Sequence, residues 1–241
     1  GNSSFTKSQL SIQNNVGTNM RKRILTLLFL SFYILGISQN KKSIYPNFSE
    51  QKLGEIENNS DWKVLQKSSG DLNKDGLNDF ALILESNDSI LEKRCSDCQL
   101  LKSKPRIIIV LISNEKIIQN NKFIARGDEG GMLPYLEPEL SIKNGFLTIY
   151  YQFTRGNQSY TFEYVNRKML ITKAESNGVH SASGDFENDK YDFKIGKIIS
   201  ETGNISEEKI KTKIIKFKIK RKSLSEMGEM SEWEIAEYKY L

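Results

Sequence analysis

Residues 139–172, ELSIKNGFLTIYYQFTRGNQSYTFEYVNRKMLIT, decide the fold of this chain. Short runs of apolar and β-branched residues alternate there with residues that favour tight turns. Asn144-Gly145 is the clearest turn, because a two-residue type I′ turn needs positive φ at both positions and Asn-Gly tolerates it. Arg155-Gly156-Asn157 and Asn166-Arg167 are the next two turn candidates. The stretch therefore predicts a four-stranded antiparallel meander.

Sequence patterns typical of β-strands continue on both sides of this stretch. Arg106 to Ile112 lacks alternation, which predicts a central strand buried on both faces. Lys209 to Lys220 alternates apolar residues with lysines, which fits a half-exposed strand whose lysines blunt a sheet edge. Trp233 to Tyr240 is a candidate to close the sheet, and residues 48–56 suit one short N-terminal helix. The predicted fold class is mainly β, an antiparallel meander or sandwich.

Residues 1–38 are expected to be absent from the mature protein. Residues 1–19 form a polar leader without an acidic residue. In residues 20–38, a basic start, an apolar stretch and small residues at cleavage spacing are typical of a secretory signal peptide. The apolar stretch is shorter than the ~20 residues of a membrane-spanning helix, so no transmembrane anchor is expected after cleavage. The protein is therefore predicted to be periplasmic or secreted, with residues 39–241 as a single β-rich domain.

The charge of the expected mature chain is nearly balanced. The whole chain has 35 basic and 30 acidic residues, and residues 1–38 hold four of the basic ones and no acid, which leaves 31 against 30. This balance removes the case for a nucleic-acid or anionic-membrane partner. About 200 residues are enough for one domain with a sizeable core.

Residues 70–85, GDLNKDGLNDFALILE, contain the one motif with a chemical mechanism. Counted from the first aspartate, oxygen-bearing side chains fall at positions 1, 3, 5 and 9, and glycine at position 6: Asp71, Asn73, Asp75, Asp79 and Gly76. Such spacing suits a hard cation, with the carbonyl of Leu77 as a further ligand. Calcium is favoured over magnesium by the many flexible oxygens, and over zinc by the absence of His and Cys.

The motif departs from an EF-hand, since position 12 is Leu82 and a strand pattern follows. It resembles the calcium loop of FG-GAP and VCBS-type repeats, which lies in β-hairpins of integrin-like propellers and many exported bacterial proteins. This resemblance implies four side-chain ligands and one carbonyl ligand: Asp71, Asn73, Asp75, Asp79 and Leu77. A propeller would need several copies, and the chain has one. An Asp-rich turn without a metal is the alternative.

Cys95 and Cys98 are the only cysteines and lie in a polar stretch between apolar runs. In an oxidising compartment they are candidates for a local disulfide. Free thiols, or a redox or metal role, are the alternatives. Two thiols alone cannot complete a tetrahedral zinc site.

His180 is the only histidine, so a Ser-His-Asp site would have to pass through it. Its neighbours Ser181 and Ser183 are adjacent in the chain and are not expected to point at it, which favours an ordinary exposed histidine. A second acidic segment, Asp185 to Asp192, has alternating oxygens but no glycine at the turning position. It favours a solvated turn, with a looser cation site as the alternative.

Two main functional hypotheses follow, with a purely structural envelope component as a third reading and with ligand and oligomeric state open. The first is an exported noncatalytic β-domain with one structural calcium ion that binds protein or glycan at the cell envelope. The second is an extracellular hydrolase that cleaves a polymer through paired carboxylates, such as Glu137 or Glu139 with Asp185. Glycoside cleavage requires such carboxyl groups to lie ~5 to 9.5 Å apart.

Overall fold

The described part of the chain folds into two main antiparallel sheets and two short two-stranded ribbons. The computed structural model describes residues 45–93, 99–127 and 137–241. The predicted leader, the signal peptide and both cysteines lie outside these ranges. The elements are α1 Leu53–Glu57, β1 Trp62–Gly70, β2 Asp79–Ser86, β3 Ile90–Glu92, β4 Leu101–Ser103, β5 Arg106–Leu111, β6 Ile118–Asn120, β7 Glu139–Lys143, β8 Phe146–Phe153, β9 Gly156–Val165, β10 Lys168–Val179, β11 Asp185–Asp192, β12 Lys197–Asn204, β13 Lys211–Lys216, a 3-10 turn Leu224–Glu226, β14 Glu234–Ala236 and β15 Lys239–Tyr240.

The larger sheet has seven strands in chain order, from β7 at one edge to β13 at the other. This confirms the predicted meander and extends it by three strands. Asn144 and Gly145 have φ of 53° and 77°, and Asn166 and Arg167 have φ of 50° and 61°, so both turns reverse the chain through positive φ. The third turn lies one residue earlier than predicted, at 154–155, because Gly156 already pairs with Phe153.

The smaller sheet has four strands in the order β1-β2-β5-β6. The side chains of its inner strands point alternately to its two faces, and both faces are covered by apolar residues. Ile108 and Val110 of β5 contact one core cluster, whereas Ile107 and Ile109 contact another. All four side chains are fully buried. The prediction that Arg106 to Ile112 forms a central strand buried on both faces is therefore confirmed.

The main core lies between the two sheets. Residues of β2 and β5 meet there with the inner-facing residues of β8, β9, β10 and β11, among them Leu147, Tyr160 and Tyr191. Phe123 packs edge-on against Tyr160, with ring centroids 4.8 Å apart. On the opposite face of the smaller sheet, α1 and the segment before it bury Phe48 and Ile56. The result is a sandwich with one short N-terminal helix, as the fold class predicted.

Two sequence-based expectations for the C-terminal half were wrong. Asp185–Asp192 is not a turn but strand β11, hydrogen-bonded to β10 and β12. Trp233 to Tyr240 does not close the large sheet, because it forms the separate β14–β15 ribbon. Lys239 of this ribbon contacts the face of β11, which explains why the ribbon lies across the sheet and not along its edge. The lysine-rich strand β13 does lie at the edge.

Tyr45–Leu241 forms one compact unit. Among the residues that the structure describes, no helix has the length and apolar character of a membrane span.

Candidate metal loop

The predicted calcium loop joins the two strands of the β1–β2 hairpin. Gly70 at the end of β1 pairs with Asp79 at the start of β2, and the residues between them form the loop. The chain reverses through left-handed backbone at Lys74 and Gly76, with φ of 64° and 82°. Gly76 adopts this conformation without the steric cost of a Cβ, which is the role the spacing assigned to it.

Asp71 organises the loop from its first position. Its Oδ1 accepts a hydrogen bond from the backbone N–H of Asp75 at 3.1 Å, and its Oδ2 accepts one from Gly76 at 2.9 Å. Asn73 Oδ1 accepts from the same Asp75 N–H, also at 3.1 Å. The side-chain oxygens at positions 1 and 3 are therefore directed at one point of the loop backbone.

Asp75 completes this arrangement. Its Oδ1 accepts from the Leu77 N–H at 2.8 Å, and its Oδ2 accepts from Asn73 Nδ2 at 2.9 Å. The structure therefore brings together three of the predicted ligands, Asp71, Asn73 and Asp75, through shared hydrogen bonds. Each carboxylate oxygen has a second lone pair, so these bonds leave acceptor capacity for a cation.

Asp79 occupies a different environment at the base of the loop. It is fully buried, at 0 % exposure. Its Oδ2 accepts from the N–H groups of Leu72 at 2.7 Å and Asn73 at 3.3 Å, and its Oδ1 accepts from Ser113 at 2.7 Å. Asp79 thus ties the loop to the segment after β5, whatever further part it has in metal binding.

The loop lies against the β7–β8 turn of the larger sheet. A Cβ placed on Gly145 would come within 3.3 Å of Lys74 Cε and 3.8 Å of the Asp71 carbonyl. At the start of the loop, a Cβ on Gly70 would overlap the side chain of Ile142 in β7. The two hairpins therefore support each other across the sandwich.

The donor set fits a hard cation in part. Two carboxylates, an amide oxygen and backbone carbonyls are ligands that calcium accepts, and position 9 of such loops often binds through water. In the described residues, however, no group of three or more His, Cys, Asp or Glu side chains lies in an arrangement that could hold a metal. Three N–H donors hold the Asp79 carboxylate at the base of the loop.

The carboxylate pairs of the hydrolase hypothesis do not come together. Glu139 is on β7 and Asp185 on β11, and three strands separate them in the sheet order. Four strand spacings of about 4.8 Å place the two strands about 19 Å apart. This exceeds the ~9.5 Å limit for a catalytic pair, and Glu137 lies only two residues before Glu139.

His180 does contact a neighbouring serine. Its Nδ1 lies 3.0 Å from Ser183 Oγ, so the expectation that adjacent residues would not point at each other was wrong. The carboxylate of Asp185 accepts instead from Asn204 Nδ2 at 2.8 Å. The hydrogen bond with Ser183, followed by the one from Asn204, holds the pKa of Asp185 below its usual value. Among the described residues no carboxylate is hydrogen-bonded to the histidine, so they do not form a Ser-His-Asp site.

Sequence reasoning missed a buried charge cluster on β11. Lys239 Nζ donates to Glu187 at 2.7 Å, to both oxygens of Asp189 at 3.0 and 2.8 Å, and to Ser200 Oγ at 3.1 Å. Burial opposes the charged form of Lys239, but the bonds to Asp189 and Glu187 outweigh it and raise the lysine pKa. The signal in the sequence was the i, i+2 spacing of the acids, which puts them on one face of a strand.

A cavity of about 560 Å³ opens beside this cluster, at the ends of β10 and β11. Gly156 and Gly178 are directly opposite each other there, so the inner face of the sheet has no side chains at that point. Arg155 and Glu187 line its sides.

Comparison with known proteins found no matching family model, no similar curated protein and no similar solved structure. The resemblance of the loop to FG-GAP and VCBS-type repeats therefore remains a prediction from the motif.

Proposed function

We propose that this protein is an exported, noncatalytic β-domain in which the Asp71–Asp79 loop binds one structural calcium ion. Asp71, Asn73 and Asp75 would supply side-chain oxygens, Leu77 a carbonyl, and Asp79 a further oxygen directly or through water. The domain would act as a protein- or glycan-binding module in the periplasm or outside the cell. This function accounts for the signal-peptide pattern and for the loop chemistry together.

The observation that carries the proposal is the convergence of Asp71, Asn73 and Asp75 on one turn of backbone. The two carboxylates are separated by a single turn and have no cationic side chain bonded to them in the described residues. A divalent cation would relieve their repulsion and use the lone pairs that the backbone N–H groups leave free.

A structural role is favoured over a catalytic one by the surroundings of the loop. Ser113 and the β7–β8 turn contact the loop. None of the described residues beside it pairs a nucleophile with a general base. Because the loop closes one hairpin and lies against another, an ion there would fix the angle between these chain segments.

The test is the thermal unfolding midpoint of residues 39–241, measured with excess calcium and with chelator. The absence of the usual position-12 glutamate suggests a dissociation constant of ~0.1 to 1 mM. At 10 mM calcium, a ligand of that affinity would stabilise the folded state by about 1.4 to 2.7 kcal/mol. Asp71→Ala and Asp75→Ala are expected to abolish the shift.

Asp88→Ala is the matched control, because Asp88 is an exposed aspartate outside the loop. It should leave the calcium response unchanged. If the unfolding midpoint does not change at 10 mM calcium, the motif is a turn without a metal site and the proposal is wrong.

A further inference from the structure

A row of polar side chains, five of the six uncharged, crosses the solvent-facing side of the large sheet. Six residues on six consecutive strands are directly opposite one another in register: Gln152, Asn157, Asn177, Asn188, Glu201 and Thr212. Residues directly opposite in antiparallel strands share a face. Residues one or three positions along the strand from a member of the row, such as Tyr151 and Tyr191, point into the core, so the row lies on the outer face.

Four adjacent amides at such positions contradict strand propensity, because asparagine is depleted in β-strands. Residues whose intrinsic preference disagrees with the secondary structure around them are expected mainly at functional sites. Part of the row forms a ladder, since Asn177 Nδ2 donates to Asn157 Oδ1 at 2.7 Å. Asn188 is half-buried, and its amide has no hydrogen-bond partner among the described residues.

The row and its surroundings on this face suit an uncharged partner. Glu201 is the single charged member of the row, and in the next row on the same face Glu175 lies directly opposite Lys190, so that their charges oppose each other. Tyr150 and Phe186 lie on the same face, one on each side of the row, because each is two residues from a member of it. Aromatic rings next to amide donors and acceptors can pack against C–H groups while the amides bond hydroxyls.

The length of the row agrees with an extended polymer. Five strand spacings of about 4.8 Å make a track of about 24 Å. Successive sugar rings of an extended 1,4-linked β-glycan advance by roughly one strand spacing. We propose that a neutral 1,4-linked β-glycan lies across the strands along this row, with its hydroxyls bonded to the amides. This inference rests on the binding role proposed above and supplies its ligand class.

The experiment titrates the protein with cellohexaose and with chitohexaose by calorimetry, in excess calcium. We expect one of them to bind, and Asn188→Ala and Gln152→Ala each to weaken that binding at least about tenfold. Asn188→Ala should keep the wild-type unfolding midpoint, because its amide has no partner among the described residues. Gln152→Ala also removes hydrogen bonds from Nε2 to the Phe153 and Gly156 carbonyls, so its affinity is compared at a temperature well below its own midpoint. Thr161→Ala, on the same face but outside the row, is the matched control and should bind normally.

Failure to bind either oligosaccharide would overturn the proposal, as would binding that both amide variants retain. Asn177→Ala separates a purely structural ladder from a binding row: a lower midpoint with unchanged affinity would assign the amides to stability alone and also overturn it. The calcium response is measured on the same samples without glycan. A failed calcium proposal is therefore visible independently of a failed glycan proposal.

Discussion

The loop at Asp71–Asp79 and strand β11 are two acidic segments of this protein, and their carboxylates are stabilised in different ways. Both place oxygens at alternating positions of the chain. In the loop, glycine and left-handed backbone turn N–H groups toward the carboxylates. In β11, Asp189 is satisfied by the ammonium of Lys239, which is distant in the sequence. The backbone is the local partner in one case, and a remote side chain is the partner in the other.

This difference shows that the spacing of acidic residues does not by itself determine the local structure, because the residues between them matter as well. An i, i+2 pattern that includes Gly76 becomes a turn that collects N–H donors. The same pattern without glycine becomes a strand with its acids on one face. The first arrangement leaves room for a cation from solution, whereas in the second the protein supplies its own cation.

Replacement of Lys239, the distant partner of Asp189, is expected to have the largest effect on the free energy of unfolding. Lys239→Ala would leave Asp189, which is only 3 % exposed, as a buried carboxylate without its cation. Removing one member of a buried ion pair costs about 3 kcal/mol or more. Urea unfolding measures this change. Lys190→Ala, an exposed lysine on the same strand, should stay within about 0.5 kcal/mol. Equal effects of both variants would contradict the role given to Lys239.

The second test removes the backbone-held carboxylate at the base of the loop. Asp79→Ala would leave the N–H groups of Leu72, Asn73 and Ser113 without their acceptor. We expect a loss of about 2 to 3 kcal/mol in the free energy of unfolding. The loss should be the same with chelator as in ordinary buffer, since it does not depend on an ion. A loss confined to calcium-containing buffer would instead make Asp79 chiefly a ligand.

Glu85 lies on β2, the strand that follows the loop, but its carboxylate is bound by cationic side chains, as that of Asp189 is. Arg106 donates to it through Nε at 2.8 Å, and Lys63 Nζ lies 2.9 Å away. Burial raises the pKa of Glu85, but the hydrogen bonds from Lys63 and Arg106 lower it more, so the net shift is downward.

A lowered pKa in the folded state means that the unfolded chain binds the proton more tightly. The stabilisation from Glu85 is then complete above the unfolded pKa of about 4.5 and is lost as the pH falls through the folded value. Glu85→Gln should cost about 2 kcal/mol at neutral pH. It should also flatten the acid limb of a stability profile below pH ~4.5. An unchanged acid limb would show that Glu85 does not contribute to it.

The smallest effect is expected at the turning position of the loop. Gly76→Ala adds a methyl group to open space, so its cost of about 1 kcal/mol arises from the left-handed backbone alone. Gly54→Ala in α1 also adds a methyl group to open space, but φ is negative there. That control should be neutral or slightly stabilising. Similar denaturation midpoints for the two variants would show that the loop relaxes without glycine.

The sequence predicted the meander because its information is local. Asn144-Gly145 and Asn166-Arg167 each specify a turn between strands that pair directly. The β1–β2 hairpin and the buried β5 were recognised for the same reason, from turn chemistry and an uninterrupted apolar run. The β14–β15 ribbon was misplaced because its position depends on contacts with distant residues, among them the Lys239–Asp189 pair and the stacking of Trp233 on Phe193. No pattern within the separate segments encodes those contacts.

The loop was predictable as a turn with inward-facing oxygens, but the separate position of Asp79 was not. Spacing places Asp79 among the ligands, whereas its bond to the Ser113 N–H comes from a segment 34 residues away. The polar row on the outer face was also hidden from the sequence. Its members belong to six strands, and only the register of the complete sheet aligns them.

The chain order of the large sheet also bears on folding kinetics. Each of its strands pairs only with its neighbours in the sequence, so its contacts close short loops. In the smaller sheet, β2 must pair with β5 across about 20 intervening residues, and its outer face needs α1. We therefore expect the C-terminal meander to form first and to serve as the surface on which the β1–β2 hairpin assembles. Pulsed hydrogen exchange should show early protection of amides in β8 to β12 and later protection in β2 and β5.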